Sequence, residues 1–289
     1  GSSSSSGRKV MKLSELLSRG SQLLASAGID SAEVDAQLLA AHVLGISRGE
    51  LQAQLFLDPE ISQADELLEL FQKRSERIPL QHLTGVAYFR NLTLAVGPGV
   101  FIPRPETEGV VDLAIAALPK DGIAVDLCTG SGAIAISIAT EVPNSKVYAW
   151  ELNPDSEPWL RKNLRGNVEL VMGDIIDDHQ LFDELAGTVD VVISNPPYIP
   201  TWAVPKDLEV QLHDPALALY GGFDGMDIIR VVSRRALQLL KPGGFLVVEH
   251  ADTQGQLVAD LFQTDGWENI QVHQDLTNRD RSVSATKAL

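Results

Sequence analysis

Between Met11 and Leu80 the apolar residues recur every three or four positions, the period of a helix packed on one side. Asp30 followed three residues later by Glu33 predicts a capping box. The helix it opens carries Val34, Leu38, Ala41 and Leu44 on one face. A second helix places Leu67, Leu68, Phe71 and Ile78 at helical spacing, with Glu66, Glu69, Lys73 and Arg74 elsewhere around it, and Pro79 stops it. The segment's charges are scattered rather than clustered, as on the solvated surface of a small helical bundle.

The rhythm changes after Leu80. Tyr88-Phe-Arg-Asn-Leu-Thr-Leu-Ala-Val96 alternates with a period near two and ends at Gly97-Pro98-Gly99, which predicts a hairpin linking two domains. From Phe101 onward, strand, Gly-rich turn and helix follow one another. The predicted strands are Ile123–Leu127, Lys146–Glu151, Val168–Val171, Val189–Ser194, Phe245–Glu249, Asn269–His273 and Ser282–Thr286. Strands that alternate with helices imply a largely parallel sheet covered on both faces. In such sheets ligands bind beyond the carboxyl ends of the strands, near the point where strand order reverses.

A length of 289 residues fits two domains, and 44% hydrophobic with 21% charged residues is an ordinary globular composition. No apolar run reaches the roughly 18 residues of a membrane-spanning helix. Cys128 is the one cysteine, so intramolecular disulfides and thiolate metal clusters are excluded and a cytoplasmic setting is expected. The formal net charge of −16 lacks the basic footprint of a protein that grips a phosphate backbone. Gly1–Val10 reads as a cloning remnant, with Met11 as the expected native start.

The first predicted strand runs into Asp126-Leu-Cys-Thr-Gly-Ser-Gly-Ala-Ile-Ala135. Gly130 and Gly132 allow a sharp turn and close approach to a ligand, and the following helix offers free N–H groups there. Nineteen residues after Gly132, Glu151 ends the second strand, where a carboxylate can accept from both hydroxyls of a ribose. Gly130-Ser-Gly132-Ala-Ile-Ala135 also satisfies the dinucleotide fingerprint, so a nicotinamide cofactor competes with S-adenosylmethionine, and a purely structural turn with both. In the S-adenosylmethionine reading, Asp126 faces the methionine ammonium, and Asp174 of Met172-Gly-Asp174 accepts from the adenine amino group.

The fourth strand ends in Asn195-Pro-Pro-Tyr198. A planar amide nitrogen is a poor nucleophile because its lone pair is delocalised; an acceptor for each N–H can draw it towards tetrahedral geometry. The Asn195 side-chain oxygen and the Pro196 carbonyl are the expected acceptors. Pro196 and Pro197 restrict the backbone beforehand, and Tyr198 offers an aromatic face for stacking. A Pro-rich turn with Tyr198 as mere packing is the plainer reading. The Gly loop, Glu151 and Asp174 at the other strand ends argue against it, because independent positions agree.

With these motifs the chain resembles the bacterial methyltransferases that modify glutamine N5 in the Gly-Gly-Gln motif of class I peptide-chain release factors. The resemblance covers nearly everything after Met11. It rests also on Phe101-Ile-Pro-Arg-Pro-Glu-Thr-Glu108, Asp214-Pro-Ala-Leu-Ala-Leu-Tyr-Gly-Gly-Phe-Asp-Gly-Met226, Lys241-Pro-Gly-Gly244 and Asp275-Leu-Thr-Asn-Arg-Asp-Arg281. It implies a Rossmann-like α/β catalytic domain (101–289) with a seven-stranded, mostly parallel sheet. A helical substrate-recognition domain (11–80) precedes it, joined by a hairpin linker (81–100). Cys128, Thr129, Gly130, Ser131, Gly132 and Glu151 would hold S-adenosylmethionine, with Asp174 and Ile175 flanking its adenine. Asn195 would touch both cofactor and target, Asn195, Pro196, Pro197 and Tyr198 would hold the amide, and Phe101 and Arg104 would wall the site.

Three departures from the family pattern stand out. Cys128 replaces the usual glycine, Glu151 the commoner aspartate, and His213-Asp214 and Glu249-His250-Ala251 differ from the commonest form. His250 invites a general-base role, although a departing N–H proton can go to water. The histidines at 42, 82, 179, 213, 250 and 273 show no metal-ligand spacing, so no metal is expected. The expected products are N5-methylglutamine and S-adenosylhomocysteine, and the expected enzyme is a monomer that acts on release factors, without direct nucleic acid or membrane contact. Methylation of an exocyclic amine of adenine or guanine is the competing activity, disfavoured by the acidic charge and the lack of a Lys/Arg-rich stretch.

Overall fold

The computed structural model describes residues 7, 9–177, 180–203, 205 and 207–289; the histidine at 179 and most of the expected remnant lie outside them. The chain forms two compact units that meet in sequence at Gly85 and Val86.

The first unit runs β1 (Met11–Lys12), α1 (Leu13–Ser26), α2 (Ala32–Leu44), α3 (Arg48–Leu55), β2 (Glu60–Ile61), α4 (Ala64–Ser75) and α5 (Leu80–Thr84). Leu13, Leu16, Leu24, Leu39, Leu67 and Phe71 form its core. Gly20 is where α1 meets the Phe71 ring: a Cβ there would stand 2.6 Å from Cε2.

Two details of the helical pattern are corrected. Ser31, not Asp30, precedes the first turn of α2, without a side-chain cap; its hydroxyl donates instead to Asp35 at 3.0 Å. The buried face of α2 is Ala32, Asp35, Ala36, Leu39, Ala40 and the expected Ala41, with Leu44 packed at its edge, while Val34 is exposed. A helix apolar on most sides has an ambiguous face, and here a buried ion pair settles it. Arg74 of α4, expected on the surface, is buried with Nε 2.9 Å from Asp35 Oδ2. A second N–H of Arg74 donates to the Ile78 carbonyl. The guanidinium needs both partners, because a buried charge is tolerated only when paired and hydrogen-bonded.

The second unit begins with the hairpin β3 (Val86–Phe89) and β4 (Leu92–Ala95). Ala87 pairs with Leu94 and Phe89 with Leu92, so all four point inward. Then follow α6 (Glu106–Ala117), β5 (Ile123–Leu127), α7 (Ala133–Glu141), β6 (Lys146–Glu151), a 3-10 turn at Pro154–Ser156, α8 (Glu157–Asn163), β7 (Val168–Met172), α9 (Gln180–Leu185) and β8 (Val189–Ser194). The chain ends with α10 (Leu208–His213), α11 (Ala216–Leu219), α12 (Asp227–Leu239), β9 (Leu240–Glu249), α13 (Gly255–Thr264), β10 (Glu268–Gln274) and β11 (Asp280–Thr286).

Seven of these strands make one sheet in the order β10-β11-β9-β8-β5-β6-β7. Strands β9, β8, β5, β6 and β7 are mutually parallel, and β11 runs antiparallel to both its neighbours. Every predicted strand is present, most with an extension of a residue or more. The period of two in each strand builds two cores. Ala124, Val147, Val191 and Val247 face the core that α6, α7 and the hairpin complete. Val125, Trp150, Val192 and Val248 face the one completed by α9, α12 and α13. The chain leaves β5 towards β6 on one side and returns through β8 on the other, so β5 and β8 flank the switch point where a crevice must open. Among the described residues no helix is long and apolar enough to cross a membrane.

Candidate active site

Register brings the two principal motifs together. Leu127 and Ser194 are partners at the carboxyl ends of β5 and β8, so Cys128 and Asn195 leave the sheet side by side. The Ser194 hydroxyl donates to the Leu127 carbonyl at 2.6 Å and ties the two exits.

The loop after β5 has left-handed backbone at Cys128 (φ 68°), Gly130 (φ 59°) and Gly132 (φ 90°). This explains the glycines at 130 and 132 and places Cys128, which has a Cβ, in backbone that favours glycine. Thr129 N–H donates to the Trp150 carbonyl, and Gly132 N–H to the Thr129 carbonyl. Asn163, almost wholly buried, donates to the carbonyls of Ser131 and Ala95, clamping the loop to β4. The hairpin is thus a buttress of the loop as well as a connection.

Asp126 lies beneath the loop with no exposed surface. One oxygen accepts from the Thr129 hydroxyl at 2.6 Å; the other is buried without a partner. Burial drives its pKa up to about 7, against the Thr129 hydrogen bond, with the nearby Glu151 charge adding to the rise. A buried carboxylate with a vacant acceptor is what would draw a cationic ammonium to the loop above it.

Glu151 at the end of β6 accepts from Gly130 N–H at 2.7 Å and Asn153 N–H at 3.0 Å. Burial raises its pKa, and these two bonds oppose the rise. Each oxygen retains acceptor capacity for a hydroxyl. After β7, Asp174 caps its own turn by accepting from Ile176 N–H at 2.9 Å. Arg235 of α12 holds that turn from behind, donating to the carbonyls of Ile175 and Ile176. Its guanidinium lies 4.2 Å above the Phe182 ring, which itself stacks on Trp150.

The loop after β8 is fixed by backbone. Ile199 N–H donates to the Leu219 carbonyl and Gly221 N–H returns to the Ile199 carbonyl. Gly221 and Gly225 sit so close under the loop that a Cβ on either would collide with the carbonyls of Pro197 and Tyr198. Gln254 donates to the Tyr198 carbonyl at 2.8 Å. The Asn195 amide, by contrast, bonds to no described residue and faces a cavity of about 1090 Å³. That cavity collects Phe101, Arg104, Cys128, Thr129, Gly130 and Ser131 at its walls, together with Glu151, Asp174, Ile175, Asn195, Pro197 and Tyr198. Asp126, Gly132 and Pro196 do not line it; Asp126 lies under the loop, and Pro196 is buried behind its neighbours.

At the other wall Arg104 reaches Asp214 at 2.6 Å and stands 5.1 Å over the Phe101 ring. Burial raises Asp214 to about 6 even though Arg104 pulls it down. Glu249, at the end of β9, accepts from the Thr107 hydroxyl at 2.7 Å and the Tyr198 hydroxyl at 3.2 Å. Sequence reasoning assigned no role to Glu249, Thr107, Gln254 or the glycines at 221 and 225. Only the Gly-Gly-x-x-Gly spacing hinted that a backbone would pass closely.

Two reactive side chains prove inert by environment. Cys128 is partly exposed at the cavity wall, but desolvation and the charges of Glu151, Asp126 and Asp174 push its thiol above its ordinary pKa, away from the thiolate. His250 is fully buried, does not line the cavity, and has its pKa lowered by burial. It is a neutral packing residue whose Nδ1 meets the Ala251 carbonyl, not a general base. Among the described residues no group of three or more His, Cys, Asp and Glu is placed to hold a metal.

Comparison with known proteins adds a family to this geometry. Residues 15–85 match the family model described as PrmC N-terminal domain, and residues 91–216 the one described as Methyltransferase small domain. The release factor glutamine methyltransferase of Streptomyces coelicolor is 48% identical over 281 residues, 94% of this chain and 97% of its own. The chain belongs to the release factor glutamine methyltransferase family. A member from Mycolicibacterium smegmatis is 46% identical over 96% of this chain and 99% of its own. A methyltransferase structure from Pyrococcus furiosus, 20% identical with a TM-score of 0.50, covers 68% of this chain and 90% of that one and shares the fold. One cavity is lined both by the Gly loop after β5 and by the Asn195–Tyr198 loop after β8.

Proposed function

We propose that this enzyme transfers a methyl group from S-adenosylmethionine to the side-chain nitrogen of the glutamine in the Gly-Gly-Gln motif of class I release factors. The observation that carries the reading is the Asn195 amide, left without a partner beside the Gly loop while everything around it is fixed. Family membership supplies the substrate class.

The cofactor's fit rests on the partnerless, buried oxygen of Asp126 and on the left-handed loop from Cys128 to Gly132. In this reading Asp126, under the loop that covers it, attracts the methionine ammonium by its charge without direct contact. Glu151 takes the ribose hydroxyls, and Asp174 and Ile175 border the adenine. S-adenosylmethionine, when bound, supplies an electrophilic methyl on a sulfonium. The Asn195 side-chain oxygen and the Pro196 carbonyl accept the two N–H groups of the glutamine amide and aim its lone pair, while Tyr198 stacks on its plane. Passage of the methyl to this nitrogen would leave S-adenosylhomocysteine, a thioether. The surplus proton on nitrogen departs to water. Phe101 and Arg104 close the wall, and the helical residues 11–80 take up the rest of the partner.

Mass spectrometry of a release factor incubated with the enzyme and S-adenosylmethionine tests this. One added methyl on the motif glutamine, absent from a Gly-Gly-Ala substrate, is the expected result. Methyl on an adenine oligonucleotide and none on the release factor would give the loop a different substrate.

A further inference from the structure

The carboxylate of Glu249 is an expensive group to keep where it is. It is 2% exposed, and burial pushes its pKa up to about 7 despite the hydroxyls of Thr107 and Tyr198 and the positive field of Arg281. A leucine of similar volume would avoid that cost, so the acid must be sought in what it holds. It holds two walls of the cavity at once. Oε1 takes the hydroxyl of Thr107 on α6, the helix that follows the Phe101–Arg104 wall. Oε2 takes the hydroxyl of Tyr198, at the end of the amide-binding loop. Thr107 and Tyr198 are far apart in the chain, and this side chain joins both.

Tyr198 is otherwise held through its backbone and by packing of its ring against the core that α9, α12 and α13 complete. Gln254 secures its carbonyl, and Gly225 packs beneath that same carbonyl. Neither restrains rotation of the ring. The ring's polar end is held by Glu249, and burial beside that acid keeps the phenol protonated, so it serves as a donor. Arg281 balances the charge from the opposite side, itself held by Asp275 at 3.1 Å.

We propose that Glu249 is a positioning residue for methyl transfer, which fixes the Tyr198 ring against the target amide and sets the gap between that ring and α6. The proposal rests on the functional reading above, in which Tyr198 stacks on the amide. It gives the carboxyl end of β9 a part in the reaction, beside the loops after β5 and β8. Glu249 acts through Tyr198 and touches no reacting atom, so its loss should lower turnover and spare cofactor binding.

The test is a cycle of Glu249→Leu, Tyr198→Phe and the double variant, with Glu249→Gln as the conservative control. Single-turnover methylation of a release factor and S-adenosylmethionine affinity by titration calorimetry are measured for each. Glu249→Leu is expected to slow transfer about tenfold and shift cofactor affinity less than twofold, with Glu249→Gln intermediate because one acceptor oxygen remains. In the Tyr198→Phe background, which lacks the hydroxyl, Glu249→Leu should cost less than twofold more. Losses that multiply in the double variant, or a full rate in Glu249→Leu, would overturn the proposal. If Glu249→Leu does not fold, a full rate in Glu249→Gln together with an unchanged rate in Tyr198→Phe overturns it as well. A wild-type enzyme that leaves the release factor unmethylated would instead overturn the functional reading.

Discussion

Ser194 and Leu127, the last residues of two adjacent parallel strands, are joined twice: by register in the sheet and by a 2.6 Å hydrogen bond from the serine hydroxyl to the leucine carbonyl. The second link crosses from one functional loop to the other. Replacing it by Ser194→Ala leaves a buried carbonyl acceptor short of one partner, a loss of about 1 kcal/mol of stability. Because both loops start there, cofactor affinity and turnover should fall together, several-fold each. Chemical denaturation and calorimetry on the same sample would check this; a stability loss with both functions intact would confine the bond to the fold.

Asn195→Ala should separate what Ser194→Ala joins. Among the described residues the Asn195 amide has no hydrogen-bond partner and faces the cavity. Melting temperature should stay within a degree or two and S-adenosylmethionine affinity within several-fold. Turnover should fall at least a hundredfold, the scale of losing an aimed polar group that acts mainly in the transition state. A collapse of cofactor binding would show that Asn195 belongs to the cofactor pocket first.

The parts of this site that were legible in the sequence are those made of contiguous residues whose chemistry is local. The loop Cys128–Gly132 and the tetrapeptide Asn195–Tyr198 announce themselves because their backbone needs glycine and proline, and the strands before them read by period. The supports were not legible. Thr107 and Glu249 stand 142 positions apart, and Gln254 reaches Tyr198 across 56. No periodicity encodes such pairs. On α2, the pattern caught Ala41 and Leu44 but placed Val34 inward and missed Asp35, whose burial depends on its pairing with Arg74, three elements later.

Cys128 carries a side chain where the backbone is left-handed, at φ 68°. Left-handed backbone costs a residue with a Cβ roughly 1 kcal/mol or more, partly offset by the greater freedom glycine brings to the unfolded chain. Cys128→Gly should therefore keep stability or raise it by up to about 1 kcal/mol, with activity retained. In the wild type, alkylation by iodoacetamide at pH 7.5 should be slow, because burial holds the thiol protonated. Fast labelling would refute that environment.

Asp126 makes the fold pH-sensitive. Burial moves its pKa from the ordinary 3.8 to about 7, so the fold binds a proton that the unfolded chain has already released. Its contribution to stability is therefore whole below pH 4 and is lost as pH rises through 7. Asp126→Asn removes the charge while keeping the shape. Without cofactor, its melting temperature should exceed the wild type's by several degrees at pH 8, each pKa unit being worth roughly 1.4 kcal/mol. The gap should shrink to about a third by pH 5 and close below pH 4. S-adenosylmethionine should bind the variant at least tenfold more weakly, so added cofactor should reverse the order of melting at pH 8. A gap independent of pH would mean that Asp126 does not titrate in this range.

Arg104 and Asp214 give the opposite case, in which a partner is removed from a buried acid. The Asp214 side chain is almost fully buried, and its pKa of about 6 is raised by burial, held down by Arg104 and pushed up by Asp207. Arg104→Met takes away the restraining charge and leaves that of Asp207, so the acid holds its proton to still higher pH in the fold. At pH 5 it is neutral in either protein and the substitution should cost little beyond one hydrogen bond. At pH 8 the variant must bury an uncompensated carboxylate or take up a proton, and the loss should grow to roughly 1–3 kcal/mol. Urea unfolding at the two pH values measures the difference directly. An equal loss at both would assign Arg104 to packing over Phe101 rather than to charge. Arg104→Met/Asp214→Asn should then recover most of the pH 8 deficit, because no charge is left to strand.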